Sequence, residues 1–372
     1  MSSHDEPAEE AAVSAWPYVS VIMPARNEEA FIDRSLGAVL AQDYPPDRFE
    51  VLVADGMSTD GTRARVQALA GGPVSVRLLD NPGRITPMAM NIGIRAASGS
   101  VIVRVDGHAV IPPEYVRRAV LALWRTGAHN VGGAVRSVST GVVASAIAAA
   151  LSSRFGVGGS AWHYAETERE TDTVPFGVYP AWVLDRIGLY DEELVRNQDD
   201  ELNDRLLKAG GRIVLCPELR SDYYPRATLQ KLARQYHQYG LWKVRVLQKH
   251  PRQLRKSHFV PGAFVAALIL GIIGAPLWGV ARLLLGLVLL LWGAGALAAS
   301  LAAARRWGWR VVPLMPIAFL VVHVSYGLGF LAGLIRFAGR WGDAGAPVAP
   351  LPAGRPGLQR DERPTPPGVV HG

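Results

Sequence analysis

The sequence predicts an α/β protein in which a Rossmann-like, mostly parallel sheet is followed by C-terminal transmembrane helices. Two features of the 372 residues support this fold class. Short apolar runs rich in β-branched residues alternate with segments of helical periodicity from residue 19 to residue 105, and this order favours parallel strands joined by right-handed crossovers. Residues 259–337 are overwhelmingly apolar, and one membrane span needs about 20 such residues.

Three strands are predicted at residues 19–23, 50–54 and 101–105, because each run is short, apolar and bounded by turn residues. Residues 30–41 and 62–69 have the pattern of helices between these strands. Polar or acidic residues follow each strand. Since ligands of a parallel sheet bind just beyond the carboxyl ends of its strands, we expect these residues to form a site at one edge.

Length and composition limit the organisation of the chain. A chain of this length is expected to hold one large domain and an appendage. Cys216 is the single cysteine, which excludes an internal disulfide and fits a reducing compartment. Residues 1–16 are acidic and alanine-rich, without a signal-peptide pattern, and residues 343–372 are rich in proline, glycine and charge. Both ends are predicted to be disordered.

The net charge of +7 is unevenly distributed. Asp and Glu are absent between Asp222 and Asp343, and residues 226–258 form a basic segment just before the apolar region. This segment is predicted to be an amphipathic juxtamembrane element that holds the domain against anionic membrane lipids. A nucleic-acid partner is not expected, because apolar spans follow directly. The cations of the segment are Arg226, Lys231, Arg234, Lys243, Arg245, Lys249, Arg252, Arg255 and Lys256.

The apolar region accommodates three spans, at residues 259–279, 283–303 and 311–335. Pro276 interrupts the first span and Pro313 and Pro316 begin the third, so two spans plus an interfacial helix also fit the sequence. With three spans, the basic segment and the loop at residues 305–310 lie inside and Arg282 lies outside, as the positive-inside rule requires. The predicted location is a bacterial inner membrane, crossed more than once, with the folded domain in the cytoplasm.

The first acidic site follows the second predicted strand. Asp55 is suited to accept hydrogen bonds from a nucleobase or ribose, and Gly56 and Gly61 allow the backbone to approach a ligand closely. The sequence has neither a glycine-rich dinucleotide fingerprint after the first strand nor a Walker loop. A bound nucleotide must therefore be held by side chains, loops and a metal ion.

The second acidic site follows the third predicted strand. Asp106 and His108 offer a carboxylate and an imidazole at the position expected for a phosphate-bound divalent cation. Mg²⁺ or Mn²⁺ is predicted, and the histidine favours Mn²⁺. Asp-Gly is also common turn chemistry, so an ordinary turn is the alternative interpretation.

The third acidic site is an acid-rich helix start at residues 197–207, with Asn197 as the expected N-cap. Acids in a first helical turn complement the helix dipole, and this purely structural role is one interpretation. Four acids within six residues also offer a carboxylate that could act as general base on an acceptor hydroxyl.

These sites are parts of an ordered set of motifs that resembles the family 2 glycosyltransferases, which have a GT-A fold. The resemblance covers about Tyr18 to Trp242 and extends weakly through the membrane region, and it implies a GT-A domain at residues 17–225. The opening motif is Pro24-Ala25-Arg26-Asn27-Glu28. The remaining motifs are the loop from Asp55 to Thr62, the helix from Asn91 to Gly99, Asp106-Gly107-His108 in place of Asp-x-Asp, and Gln198-Asp199 in place of Glu-Asp.

The resemblance implies an inverting enzyme in which Asp199 is the catalytic base and Asp106 with His108 holds the metal. The residues implied to contact the nucleotide sugar are Pro24, Arg26, Glu28, Asp55, Arg84, Asn91 and Asp106. The residues implied to contact the acceptor are Gly177, Tyr179, Gln238 and Trp242.

The chain departs from the family pattern at three positions. His108 replaces the second acid of the metal motif, and Gln198 replaces the Glu beside the base. Leu241 stands where the Gln-x-x-Arg-Trp motif of polymerising synthases has Arg, and Lys243 or Arg245 is the candidate substitute. Trp242 at the end of that motif is equally interpretable as an interfacial aromatic residue.

A narrower similarity links the motifs around Arg104 and Tyr239 to bacterial enzymes of succinoglycan-type exopolysaccharide assembly. These enzymes add a glucose to a lipid-linked sugar. The expected function is therefore transfer of a sugar from a nucleotide sugar, with a UDP-hexose favoured, to a polyprenyl-linked saccharide in exopolysaccharide or cell-envelope glycan assembly. A processive polysaccharide synthase and a non-catalytic membrane scaffold of a glycan assembly complex are the alternatives.

Overall fold

The computed structural model describes residues 16–137, 141–158, 166–223, 228–251, 256–343, 345 and 350–351. Nearly all of the two terminal segments predicted to be disordered lies outside these residues, as do Arg226, Arg252 and Arg255 of the basic segment. The predictions for those positions stay predictions.

Eleven strands and twelve α-helices are present in the described residues. The strands are β1 Val19–Ala25, β2 Phe49–Asp55, β3 Ser75–Asp80, β4 Val101–Arg104, β5 Ala109–Val110, β6 Asn130–Gly132, β7 Val135–Ser137, β8 Arg169–Glu170, β9 Val178–Pro180, β10 Ile213–Leu215 and β11 Ser221–Tyr223. The helices are α1 Ile32–Leu40, α2 Thr62–Leu69, α3 Thr86–Ala96, α4 Tyr115–Thr126, α5 Val142–Leu151, α6 Arg154–Val157, α7 Ala181–Ile187, α8 Gln198–Lys208, α9 Leu229–Lys249, α10 Lys256–Gly274, α11 Gly279–Trp307 and α12 Met315–Arg336.

The central sheet has the order β3-β2-β1-β4-β9-β6-β10-β8. Strands β1 to β4 are parallel, with Ile22 paired to Leu52 on one side and to Arg104 on the other. Strand β9 is antiparallel to β4 and β6, and a second sheet contains β5, β11 and β7. The predicted fold class is confirmed. Because β1, β2 and β4 run in one direction, the residues that follow them meet at one edge.

Two helical layers cover the sheet and form its core. On one face, α1 and α4 bury Leu36, Val39 and Val116 against the strands. On the other face, α3, α7 and α8 bury Met90 and Leu202 together with their neighbours. Full burial of one such apolar side chain stabilises a fold by about 1.5–3 kcal/mol. Because each helix buries several of them, its position on the sheet is fixed, and so is the position of its first turn at the sheet edge.

The C-terminal region forms three helices near the three predicted spans. Pro276 lies in the turn between α10 and α11, and Pro313 and Pro316 lie at the start of α12. Helices α11 and α12 are long and apolar enough to cross a membrane by length and composition. The apolar part of α10 is shorter, as Pro276 predicts.

Helix α9 contains most of the described basic segment and begins at Thr228, whose side chain accepts a hydrogen bond from the Lys231 amide at 3.2 Å. It packs lengthwise on α12 through glycines. A Cβ on Gly240 would lie 2.0 Å from the Tyr326 carbonyl oxygen, and a Cβ on Gly329 would lie 2.0 Å from the His237 carbonyl oxygen. The two backbones are therefore in direct contact.

Three cations of α9 contact acids of the sheet domain, so these three are not available to hold the domain against anionic lipids. Lys243 Nζ lies 3.0 Å from Asp200 Oδ2, and Arg245 Nε lies 2.8 Å from Glu193 Oε1. Lys249 Nζ lies 2.7 Å from Glu193 Oε2. The basic segment contains no acidic residue of its own. In the folded chain, Asp200 and Glu193 pack against it and neutralise the three cations.

Candidate active site

Asp199 lies in the first turn of α8, at the carboxyl edge of the parallel strands. The preceding Asn197 has a left-handed backbone with φ of 61°. Its side chain makes no cap hydrogen bond, contrary to expectation, and its Nδ2 instead donates to the Tyr239 carbonyl oxygen of α9 at 2.9 Å. The start of α8 is thus attached to α9.

Arg104 connects two of the predicted site residues. It is the last residue of β4, and only 9% of its side chain is exposed. Its Nε donates to Asp106 Oδ1 at 2.8 Å, and its Nη1 donates to Asp199 Oδ1. The structure therefore brings the predicted base and the predicted metal ligand together through one guanidinium. Sequence reasoning assigned no role to Arg104, although an arginine in a buried strand requires a charged partner.

The pKa values of the two carboxyl groups around Arg104 are shifted in opposite directions. Burial raises the pKa of Asp199 above its ordinary value, and this effect outweighs the opposing influence of Arg104. The carboxylate lies deep in the protein, although 37% of the side chain stays exposed. Burial also acts to raise the pKa of Asp106, but Arg104 and His108 together lower it below its ordinary value. Two neighbouring acids with pKa values shifted in opposite directions suit separate roles.

His108 is oriented by the opening motif. Its Nδ1 lies 3.0 Å from Glu28 Oε1, and both side chains are largely buried. Metal-binding histidines commonly contact a carboxylate through the ring nitrogen that does not bind the metal. An ionised Asp106 carboxylate and an imidazole held in this way are chemically suited to Mg²⁺ or Mn²⁺. The residues present therefore fit the expected cation.

A second group of possible metal ligands lies elsewhere in the described residues. Glu168, Cys216 and Glu218 have ligand atoms within 4.8 Å of one another. Arg125 already contacts this group, with Nη2 at 2.6 Å from Glu168 and 2.9 Å from Glu218. Because a guanidinium neutralises the acids, we assign this group to an ion pair.

Asp55 stabilises the loop that follows β2. The residue is fully buried, and its carboxylate accepts hydrogen bonds from the Ser58 amide at 3.0 Å and from Arg63 Nη1 at 2.8 Å. The same loop contacts the opening motif, because the Thr59 amide donates to Asn27 Oδ1 at 2.9 Å. A Cβ on Gly56 would lie 3.0 Å from Arg26 Cβ, so glycine permits the two segments to approach.

Several predicted nucleotide contacts meet at this edge. Arg26 Nη1 donates to the Arg84 carbonyl oxygen at 3.3 Å, and Arg84 has a left-handed φ of 59°. The Gly107 amide donates to the Pro24 carbonyl oxygen at 3.3 Å. These contacts connect the segments that carry Pro24, Arg26, Glu28, Asp55, Arg84 and Asp106.

Two further predicted contact residues, like Asp55, have buried side chains. Asn91 is 2% exposed, and it donates to the Tyr190 carbonyl oxygen at 2.9 Å and to Glu192 Oε1 at 2.7 Å. Tyr179 is 3% exposed, and its hydroxyl donates to Asn203 Oδ1 at 3.2 Å. Both side chains therefore pack around α8 and the loop before it, and their contacts with a ligand stay predictions.

The remaining predicted acceptor residues are split between the sheet and α9. Gly177 precedes β9, where a Cβ would lie 2.7 Å from the Tyr179 ring. Gln238 Oε1 accepts a hydrogen bond from Arg196 Nε at 3.1 Å, and the Trp242 ring centroid lies 5.6 Å from that of Phe337. Their contacts with an acceptor stay predictions.

The mostly parallel sheet with acidic residues at its carboxyl edge belongs to the class of α/β proteins that bind ligands beyond the ends of their strands, and the GT-A fold is one of this class. The profile described as Glycosyl transferase family 2 matches residues 20–187, and the chain belongs to that family. It is 31% identical over 317 residues to the succinoglycan biosynthesis protein ExoA of Rhizobium meliloti, covering 82% of this chain and 92% of that protein.

A second relative is named as a glycosyltransferase. The chain is 29% identical over 240 residues to a dolichyl N-acetyl-α-D-glucosaminyl phosphate 3-β-D-2,3-diacetamido-2,3-dideoxy-β-D-glucuronosyltransferase of Methanococcus voltae, covering 62% of this chain and 74% of that protein. Among solved structures, the mannosyltransferase PcManGT of Pyrobaculum calidifontis, in complex with GDP-Man and Mn²⁺, superimposes with a TM-score of 0.54 at 21% identity. It covers 84% of this chain and 88% of its own, and this similarity concerns the fold.

Proposed function

We propose that this glycosyltransferase moves one hexose from a UDP-sugar to a polyprenyl-linked saccharide at the inner membrane, with inversion at the anomeric carbon. The observation that carries the proposal is the position of Asp199. Its carboxyl group, which is partly exposed and has a raised pKa, lies at the sheet edge beside the Arg104 guanidinium, and this guanidinium also contacts Asp106.

In the proposed reaction, an acceptor hydroxyl attacks the anomeric carbon from the side opposite the nucleotide. Asp199 accepts the hydroxyl proton on a carboxylate oxygen as the new glycosidic bond forms and the bond to the diphosphate breaks. A raised pKa brings the base closer to the working pH, which increases the efficiency of proton transfer. Arg104 orients Asp199 through its guanidinium.

Asp106 and His108 would hold the divalent cation, with Glu28 orienting the imidazole. When bound, the cation offsets the negative charge that develops on the leaving diphosphate. Asp55 stabilises the loop proposed to contact the nucleoside, while Arg26 and Arg84 belong to segments proposed to contact the diphosphate.

The lipid-linked acceptor is supported by the relatives and by the apolar helices. One relative is named for succinoglycan biosynthesis and another for transfer to a dolichyl-linked sugar phosphate. Helix α9 connects the start of α8 to the apolar helix α12. An acceptor anchored in the bilayer would therefore approach Asp199 from the side of α9.

The direct test combines detergent-solubilised protein with a panel of UDP-, GDP- and dTDP-sugars, short polyprenyl-diphosphate saccharides, and Mg²⁺, Mn²⁺ or EDTA. Mass spectrometry of the lipid product should show one added hexose, from a UDP-sugar, that EDTA prevents. A ladder of products would favour a processive synthase. Absence of both turnover and nucleotide binding would favour a scaffold.

A further inference from the structure

We infer that α12, although long and apolar enough to span a membrane, lies along the bilayer face that carries the catalytic domain. Helices α10 and α11 then form the membrane-crossing hairpin. The chain after α12 emerges on the same side as the catalytic domain.

The C-terminal end of α12 is attached to the catalytic domain. Gln248 Nε2 of α9 donates to the Phe337 carbonyl oxygen at 2.7 Å. Beyond it, Arg340 Nη1 lies 2.6 Å from Oε1 of Glu193, which is in the loop before α8. Arg245 Nη2 lies 2.9 Å from Asp343 Oδ2. These contacts place the C-terminal end of α12 beside the start of α8, the helix that carries Asp199.

The N-terminal end of α12 packs on α5, a helix that the chain inserts between β7 and β8. Met315 and Phe319 share a buried apolar cluster with Ile147 of α5. This cluster is separate from the two clusters that cover the sheet. The described contacts of α12 with the catalytic domain are therefore made at its C-terminal end.

Helix α9 runs alongside α12 and carries charged residues. His237 contacts Gly329 and Leu241 contacts Gly333, so the two helices advance together in the same direction. If α12 crossed the bilayer, the cations of α9 would enter the hydrocarbon core with it. A Lys or Arg side chain near the centre of a bilayer is costly, which makes a membrane-crossing orientation of this helix pair unfavourable.

The outer face of α12 is suited to lipid. Its exposed large apolar residues are Ile317, Leu320, Leu328 and Ile335, with exposed fractions of 46%, 42%, 43% and 80%. Their spacing places them on one stripe of the helix. A helix with one face packed on protein and one apolar face towards lipid has the character of an interfacial helix.

The hairpin of α10 and α11 projects beyond α12. Pro261 of α10 contacts Gly327, and Trp292 Nε1 of α11 donates to His323 Nδ1 at 3.0 Å. Between these contacts the hairpin is apolar and exposed, with Leu283 at 76%. Helix α11 has 29 residues and is about 43 Å long, which is enough to cross the roughly 30 Å core of a bilayer.

The far interface is marked by two residues at the hairpin tip. Trp278 is 65% exposed, and Arg282 Nη1 donates to the Ala275 carbonyl oxygen at 2.9 Å. Tryptophan is enriched at membrane interfaces, and a charged residue is tolerated at a helix end near water. The tip therefore fits the side opposite the catalytic domain.

The test uses reporters fused to the C-terminus of the full chain in bacterial cells. A green fluorescent protein should fluoresce, and alkaline phosphatase, which is active only outside the cytoplasm, should be inactive. Insertion of one additional apolar span before each reporter is the matched control, and it should reverse both signals. An active phosphatase on the unmodified chain would show that α12 crosses, and would overturn the inference.

A second measurement tests the hairpin independently of the tail. In a Cys216→Ala background, Trp278→Cys should react with a membrane-impermeant maleimide added to intact cells. The Arg340→Cys variant should react only after the cells are permeabilised. A Trp278→Cys variant protected in intact cells and labelled after permeabilisation would overturn the crossing hairpin.

Discussion

The guanidinium of Arg104 contacts the carboxylate of Asp199, although the two residues are separated by 95 positions in sequence. The Nε atom of the same guanidinium donates a hydrogen bond to Asp106. The distance between the proposed base and the proposed metal ligand is therefore fixed by a single buried cation. This relationship makes Arg104 the position at which the mechanism is most directly tested.

Arg104→Gln should lower kcat and shift its pH dependence. Proton transfer requires ionised Asp199, so activity falls as the pH decreases through the pKa of that carboxyl. Arg104 lowers this pKa, and its loss should move the acid limb of kcat to higher pH. Arg104→Lys keeps the charge but loses the planar fork, and it should show a smaller shift. An unchanged acid limb in Arg104→Gln would contradict the pairing.

Asp199→Asn should reduce kcat by about 10²–10⁴-fold, the usual contribution of a general base. The affinity for the nucleotide, measured by calorimetry, should change little because the substitution preserves size and leaves the nucleotide loops intact. Asp200→Asn is the matched control in the same helical turn, since its carboxylate contacts Lys243. Equal losses of kcat in both variants would argue against a specific role for Asp199.

Glu28→Gln should weaken Mn²⁺ binding by about 10–100-fold, as loss of a carboxylate that orients a metal-binding histidine does. Electron paramagnetic resonance of Mn²⁺ titrated in the presence of UDP reports the affinity without requiring turnover. Glu29→Gln is the neighbouring control, because Glu29 accepts a hydrogen bond from the Gly61 amide instead. A normal affinity in Glu28→Gln would exclude His108 as an oriented ligand.

Gly329→Ala should destabilise the contact between α9 and α12. The added Cβ would lie 2.0 Å from the His237 carbonyl oxygen, and overpacking costs typically 1–3 kcal/mol. Gly293→Ala on α11 is the matched control, because nothing lies within 4 Å of its Cβ position in the described residues. Thermal unfolding in detergent should show a lower midpoint for Gly329→Ala alone.

Glu193 should contribute stability that depends on pH. Although burial opposes ionisation, hydrogen bonds from Arg245 and Lys249 lower the pKa of Glu193 from 4.5 to about 2. A depressed folded-state pKa stabilises the fold above the unfolded value, and the contribution is lost as the pH falls towards about 2. The difference in unfolding free energy between wild type and Glu193→Gln should therefore be largest above pH 4.5 and shrink below it. A difference independent of pH would contradict this ion pairing.

The fold was predictable because its signals are local. The β-branched runs of β1, β2 and β4 and the acidic start of α8 each lie within a few consecutive residues. Motif resemblance then added the roles of Asp106 and Asp199, and the family is confirmed.

The site was less predictable because it depends on distant partners. Nothing near Arg104 in sequence indicates Asp199, and nothing within the basic segment indicates Asp200 or Glu193. Asn91 matches a family motif, yet its side chain is engaged with residues 190–192. Such pairings are determined by tertiary packing, which short-range patterns do not encode.

The direct backbone contact between α9 and α12 has a consequence for acceptor choice. Asn197 and Asp200 attach α8 to α9, and glycines attach α9 to α12, which we infer to lie on the bilayer face. These stacked helices leave little freedom to change the height of Asp199 above the lipid phosphates. The stack would then work as a molecular ruler, so that an acceptor is selected by the length of its glycan as well as by the sugar at its end.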